Sequence, residues 1–144
     1  MVASQSELIL EQIKARLIAG RVATERNADV PVIVPAEGMA ILRDGDPGDP
    51  ERVLGGFESV YYTHTIELEL FVQGVTETVR DERYDALLSK VGAILYTDTS
   101  LGGLIFGFHT TRPEPQTIPV EGGVPIKAAV LIIIAEYQPE NPLA

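Results

Sequence analysis

The stretch VPIKAAVLIIIAEYQ, residues 124–138, decides the fold of this chain. No polar side chain occurs between Ala128 and Ala135, and most of the residues between them are β-branched. Branched side chains are stiff and pack well on a pleated surface. The run is too short for a membrane-spanning helix, which needs about 20 apolar residues. The pattern therefore predicts a strand in the middle of a sheet, covered on both faces.

The overall composition is that of one globular domain. A length of 144 residues indicates a single core, and 22% charged residues are ordinary for a folded protein. The chain has no cysteine, which excludes disulfides, Fe–S clusters and thiol chemistry and fits a reducing cytoplasm. The sequence does not open with a basic stretch followed by an apolar one, so no signal peptide is predicted.

The charge balance is strongly acidic. With 21 acidic and 11 basic residues the formal net charge is −10. A field of this sign opposes stable binding to DNA phosphates. The acidity indicates either plain solubility or a surface that stays near nucleic acid without binding it, and charge alone leaves both interpretations open.

Two segments have helical periodicity. SQSE, residues 4–7, has the spacing of a capping box, and apolar residues then recur at helical intervals as far as Gly20. These features predict a first helix over residues 5–19. A second apolar stripe follows Asp81 and Glu82, which favour the positive end of a helix, and predicts a helix over residues 81–96.

The clearest strand after the closing one is VYYTHTIELELFVQ, residues 60–73. Its apolar residues alternate with Glu67 and Glu69, which is typical of an antiparallel strand with one face exposed. Residues 30–34 and 38–43 predict two short strands, the first at a sheet edge because a proline interrupts it.

One more short strand is predicted over residues 105–110, which gives the order α-β-β-β-α-β-β. This order predicts an α+β fold with a mixed or antiparallel sheet of about five strands and both helices packed on one face. Residues 44–56, rich in turn formers and charges, predict a mobile loop within this single domain of residues 1–144. Residues 111–123 predict an extended loop, and residues 139–144 a tail.

No catalytic or cofactor motif is present. His64 lies in a strand, and His109 lies at a strand end with Glu114 nearby in sequence, but nothing places a nucleophile beside either histidine. The chain contains no Gly-x-Ser-x-Gly elbow and no glycine-rich phosphate loop. We therefore predict no catalytic residue and no cofactor.

Three aspartates raise the question of a metal site. Asp44, Asp46 and Asp49 fall within six residues, and a hard cation prefers several carboxylates on a flexible loop. The spacing of an EF-hand and its terminal glutamate are both missing. A solvated acidic loop without a metal ion is the prediction.

Several local patterns occur in a recognisable order along about residues 6–137. They are an amphipathic helix, VPVIV at 30–34, TIELELFV at 65–72, a helix with Tyr84, Leu87 and Leu88, DTSLGGL at 98–104, and a closing strand ending AEY at 135–137. This arrangement resembles the phage tail terminator family (the minor tail protein U-like type, found also in prophages and gene-transfer particles). Members of that family are small proteins that cap the tail tube of long-tailed phages.

The resemblance implies a structural virion protein and no enzyme. It implies a hexameric ring that ends tube polymerisation, joins the tail to the head connector, and lies at the tail end after assembly in the bacterial cytoplasm. The implied partners are further copies of the chain, the tail tube protein and a connector or stopper protein, with DNA passing through the channel unbound and no membrane involved. An acidic channel wall fits that passage.

The expected contact residues are charged and lie on the loop and on one strand face. They are Arg43, Asp44, Asp46, Asp49, Glu51 and Arg52 on the loop, and Glu67 and Glu69 as an exposed polar face of the ring. Two alternatives stay open. One is another head–tail joining protein, a stopper or adaptor. The other is a small cytosolic enzyme or ligand-binding domain that uses His109, Glu114 and the 111–123 loop.

Overall fold

The computed structural model describes residues 3–52, 60–139, 141, 143 and 144, with the side chains of residues 50–52 and 60 left aside. The described part of the chain forms two helices and seven strands. In chain order they are α1 (Gln5–Ala19), β1 (Ala23–Arg26), β2 (Met39–Asp46), β3 (Pro50–Arg52), β4 (Val60–Gln73), α2 (Glu77–Leu95), β5 (Gly107–Thr110), β6 (Glu114–Ile118) and β7 (Ile126–Tyr137).

All seven strands belong to one mixed sheet. The main order is β1-β2-β4-β7-β5, β3 continues the β2 side of β4, and β6 pairs with β7 beside β5. Only the β1–β2 pairing is parallel among the described pairs, and the others are antiparallel. The fold is therefore α+β, as predicted, but with two more strands than the predicted five.

Both helices pack on the same face of the sheet, which we call the helix face. α1 buries Ile9, Ile13 and Leu17 there, and α2 buries its own apolar stripe. Beneath them lie alternate residues of the central strands, including Leu68 and Ile133, both with no exposed surface. The placement of both helices on one face confirms the prediction from sequence.

α1 has the predicted bounds. Ser4 caps it, because its Oγ accepts the Glu7 N–H at 3.2 Å. Gly20 follows the helix at φ −81°, so it is Arg21, at φ 68°, that adopts the left-handed conformation. A Cβ at Gly20 would lie 2.3 Å from Cδ1 of Ile94 on α2, so a larger residue there would require the Ile94 side chain to move. This glycine allows the two helices to approach each other.

α2 begins before its predicted start at residue 81. Thr76 is the N-cap, and its side chain accepts the Val79 N–H at 3.2 Å, so the helix includes residue 77 onward. The helix ends at Leu95, one residue before the predicted end. The early start was missed because the first turn, Glu77 to Arg80, has little apolar periodicity.

The predicted strand over residues 30–34 is wrong. The strand at the β2 edge of the sheet is β1, and residues 30–34 form no backbone pairing with another strand. Pro31 has no N–H to donate. The Gln73 side chain accepts the Val34 N–H at 2.9 Å and donates to the Val32 carbonyl at 3.1 Å, so a side chain satisfies this backbone instead of a neighbouring strand.

Parts of both predicted loops belong to strands. β2 runs on to Asp46 across a bulge at Gly45, and β3 follows. Residues 53–56, the end of the predicted 44–56 loop, lie outside the described residues. Gly45 has φ +68°, and a Cβ there would lie 1.9 Å from the Thr65 carbonyl oxygen.

Within the predicted extended loop 111–123, β6 pairs with β7 from Glu114↔Val130 to Ile118↔Ile126. Its proline is tolerated because β6 lies at the sheet edge. The predicted strand over residues 105–110 begins at Gly107. In the predicted 139–144 tail, the described residues belong to no helix or strand.

β7 is central, as predicted, with β4 on one side and β5 and β6 on the other. The predicted burial of both faces of β7 is confirmed only in part. Along the strand, buried residues alternate with partly exposed ones, and Val130 is 43% exposed. The helix face is closed, whereas the opposite face is closed over only part of its length.

Candidate functional site

The described residues cover the face opposite the helices, which we call the outer face, only at one end. There a second cluster packs around Ile41, Phe71 and Ile126. Val34 from the 28–34 segment and the partly buried Ile118 and Val120 cover it. The cover stops where β7 passes Ala128.

Beyond that point lies an apolar strip made of Val130, Ile132 and Ile134, which we call the open strip. Val130 is 43% exposed and the two isoleucines are partly exposed. The opposing residues on β4 are Glu69, Glu67 and Thr65. No described helix or loop covers these aliphatic side chains, although β-branched groups of this size are usually buried.

The border of the open strip is acidic. Glu67, Glu114 and Glu136 are exposed, and no basic side chain in the described ranges forms an ion pair with them. Glu114 pairs across from Val130, while Glu136 lies two residues beyond Ile134. Arg112 also lines a hollow with Glu114 and Val130, so the strip is an apolar surface bordered by three glutamates and one arginine.

The far end of the outer face carries two aromatic rings. Tyr61 and Phe106 meet with their centroids 5.2 Å apart, and Phe106 is 60% exposed. With Thr63 and Glu136 they line a shallow hollow of about 330 Å³. The hollow continues the open strip towards the edge of the molecule.

The predicted contact residues divide between this face and internal ion pairs. Glu67 is exposed on the outer face, as expected. Glu69 is not an exposed contact, because its side chain is 16% exposed and forms an ion pair with Arg43. Arg43 also donates to the Ala28 carbonyl at 2.8 Å, so both residues hold the outer face together.

Asp44 is engaged in a second ion-pair group. Arg26, only 16% exposed, contacts Glu7 at 2.5 Å, Glu11 at 2.8 Å and Asp44 at 2.7 Å. The hydrogen bond from Arg26 lowers the pKa of the Asp44 carboxyl, with a smaller contribution from Asn27. This group ties β1 and β2 to α1.

The other loop candidates lie near the bulge. Asp46 accepts the Gly48 N–H at 2.8 Å, which shapes the turn into β3, and Asp49 is exposed. Glu51 and Arg52 belong to β3, and their side chains lie outside the described part. No group of three or more acidic or histidine residues in the described ranges has the geometry of a metal site.

The two histidines lie on opposite faces of the sheet and differ in burial. His64 is 1% exposed on the helix face, and its Nε2 donates to the Asp44 carbonyl at 2.5 Å. His109 is exposed on the outer face opposite Ile134, while Glu114 lies opposite Val130. Four residues along β7 correspond to about 13 Å, so His109 and Glu114 do not form a pair.

The DTSLGGL segment after α2 is a structural turn. The Asp98 carboxylate accepts from Ser100 Oγ at 2.6 Å and from the Gly102 N–H at 2.8 Å. Leu101, Gly102 and Gly103 all have positive φ. These hydrogen bonds lower the pKa of Asp98 well below its usual range. The bond from Ser100 Oγ makes the largest contribution, and the bond from the Gly102 N–H makes the next largest. Arg16 contacts the same carboxylate at 3.4 Å and joins the turn to α1.

No protein-family model matches the chain, and no curated protein matches it significantly. Among the described residues, no helix has the length and apolar character needed to cross a membrane.

The open strip was missed by sequence reasoning, which expected β7 to be covered on both faces. A signal was present in the alternation of β4. Because Glu67 and Glu69 occupy one face of β4, the β7 residues paired beside them share a face with carboxylates. If the pairing of β4 with β7 were known, the sequence would predict that Val130 and Ile132 are exposed.

Proposed function

We propose that this protein is a ring-forming virion protein of the tail-terminator type, which caps a phage tail tube and joins it to the head connector. The observation that carries the proposal is the open strip. A folded chain that leaves Val130, Ile132 and Ile134 accessible, in the centre of its sheet, gains stability by covering them with another protein.

The rest of the molecule supports an assembly role. Both helices and the helix face form one closed core, and a second cluster closes one end of the outer face, so the open strip is the apolar surface that these described clusters leave uncovered. The net charge of −10 suits a channel wall that DNA passes without binding. The order of helices and strands is also compatible with the family resemblance, although it differs from it at residues 30–34.

The first test is the oligomeric state. Light scattering over a wide concentration range, with negative-stain imaging of any large species, is expected to find sixfold rings with a central channel. A pull-down with tail tube protein and, separately, with connector protein then identifies the layer. Retention by the connector alone favours a stopper or adaptor.

The proposal has a clear failure. A protein that stays monomeric at every concentration, and is retained by neither tube nor connector protein, is not a terminator. The Ile132→Asp variant is compared with the natural chain in the same experiment. Its charge in the open strip is expected to abolish the rings while the monomer remains folded.

A further inference from the structure

The far end of the outer face combines two aromatic rings with a carboxylate. We call this place the aromatic hollow and define it by its lining residues Tyr61, Thr63, Phe106 and Glu136. The Tyr61 and Phe106 ring centroids are 5.2 Å apart. The face of an aromatic ring carries partial negative charge, so rings and a carboxylate at one place attract a cation.

The backbone of the aromatic hollow is held by the sheet. Thr63 and Glu136 are direct partners across the β4–β7 pairing, and Phe106 donates its N–H to the Glu136 carbonyl at 3.0 Å. Tyr61 lies two residues before Thr63 and on the same face of β4. These residues therefore hold their relative positions before anything binds, which reduces the entropy lost on binding.

The same combination of ring and carboxylate binds a lysine elsewhere in the chain. Lys127 Nζ lies 4.7 Å from the centroid of the Tyr84 ring and 2.8 Å from Oδ1 of Asp81. The described lining of the aromatic hollow includes no lysine or arginine, and Glu136 forms no ion pair with a described basic side chain. The hollow thus has the groups that hold Lys127, without a basic side chain of its own among the described residues.

A single long side chain fits the aromatic hollow better than a small molecule or a nucleic acid. Phe106 is 60% exposed, whereas a small-molecule site encloses most of its ligand. An exposed ring can stack on a nucleic-acid base, but the Glu136 carboxylate and the net charge of −10 repel the phosphates. The end of a lysine side chain brings the complementary charge and needs little enclosure.

We propose that the aromatic hollow binds a lysine side chain of a partner protein, with the ammonium group beside Glu136 and over the exposed face of the Phe106 ring. The inference stands on the hollow alone, so it goes beyond the proposed ring and does not depend on it. Because the hollow continues the open strip, this contact adds a preference for a basic partner to an otherwise apolar surface.

The test titrates the full chain with short peptides and follows its backbone amides by NMR. The peptide acetyl-Gly-Lys-Gly-amide is expected to cause saturable shifts at Thr63, Phe106 and Glu136. Its affinity is expected to be roughly millimolar, because one side chain makes the contact. The same peptide with norleucine, which has the carbon chain of lysine without its charge, is expected to cause no saturable shift.

Two variants each remove one group from the hollow. Phe106→Leu keeps an apolar side chain and loses the ring, and Glu136→Gln keeps the shape and loses the charge. Each is expected to weaken binding of the lysine peptide about three-fold, and both together about ten-fold. Glu82→Gln removes an exposed carboxylate on α2 instead, and this control is expected to leave binding unchanged. Circular dichroism checks that each variant is folded.

Three results overturn the inference. They are equal binding of the lysine and norleucine peptides, equal binding by the natural chain and the double variant, and tighter binding of butylammonium or of the arginine peptide than of the lysine peptide. All three leave the proposed function standing, because ring formation is measured separately. A chain that binds the lysine peptide at the hollow, but forms no ring and is retained by neither tube nor connector protein, supports this inference and contradicts the proposed function.

Discussion

The two faces of the central strand β7 differ in how completely the described residues cover them. On the helix face, α1 and α2 cover the sheet, and Ile133 and Ala135 have no exposed surface. On the outer face, loops cover one end, and the open strip remains. Adjacent isoleucines of one strand therefore face different environments. The difference separates residues that are buried in the core from residues that the proposed assembly would cover.

The largest expected effect compares those adjacent isoleucines. Ile133→Ala is expected to reduce the free energy of unfolding by about 3 kcal/mol, because it leaves a cavity beneath the helices. Ile132→Ala removes the same atoms from a partly exposed position and is expected to cost about 1 kcal/mol. Urea unfolding at concentrations too low for association measures both.

The same two variants are expected to reverse their order in an association assay. Ile132→Ala weakens self-association, while Ile133→Ala, where it remains folded, leaves it nearly unchanged. Equal losses of stability for the two variants would mean that the outer face is as well covered as the helix face, and the contrast between the faces would be lost.

A second comparison uses the ion pairs on each face. Arg26 contacts three carboxylates from α1 and β2 on the helix side, whereas Arg43 pairs with Glu69 alone on the outer face. Arg26→Met is expected to lower stability by about 1–2 kcal/mol, since three carboxylates lose their partner while staying close together. Arg43→Met is expected to cost less than about 1 kcal/mol.

Salt provides the control for this pair. The carboxylates of the Arg26 group are half exposed, so 1 M salt screens them. In urea unfolding, salt is therefore expected to reduce the difference in the free energy of unfolding between the two variants. If salt left this difference in stability unchanged, the loss in Arg26→Met would come from lost packing of the side chain rather than from lost ion pairing.

Local pattern predicted the elements that depend on local causes. α1 and β4 have the predicted bounds, because an N-cap with helical periodicity and a strict alternation are both properties of a short window. β7 was predicted as central for the same reason. The α+β class followed from the order of these segments.

The remaining structure depends on partners distant in sequence. β6 forms because β7 offers an unpaired edge, and residues 30–34 lack a ladder because Gln73, about 40 positions later, satisfies their backbone. The ion pairs of Asp44 and Glu69 were not foreseen for the same reason. Their partners, Arg26 and Arg43, lie 18 and 26 residues away, and charge in sequence does not indicate which carboxylates are already paired.

The smallest expected effect concerns pH and the turn that closes the helix face. The hydrogen bonds from Ser100 and Gly102 lower the pKa of Asp98 in the folded chain. A group with a lowered pKa contributes stability above its unfolded value, about pH 4, and loses that contribution as the pH falls through its folded value. Asp98→Asn is therefore expected to be less stable than the natural chain at pH 7, with the difference shrinking steadily below pH 4. Urea midpoints across this range measure it, and Asp85→Asn on the exposed side of α2 is the control. A difference that stays constant down to pH 2 would mean that the turn depends on the shape of the side chain and not on its charge.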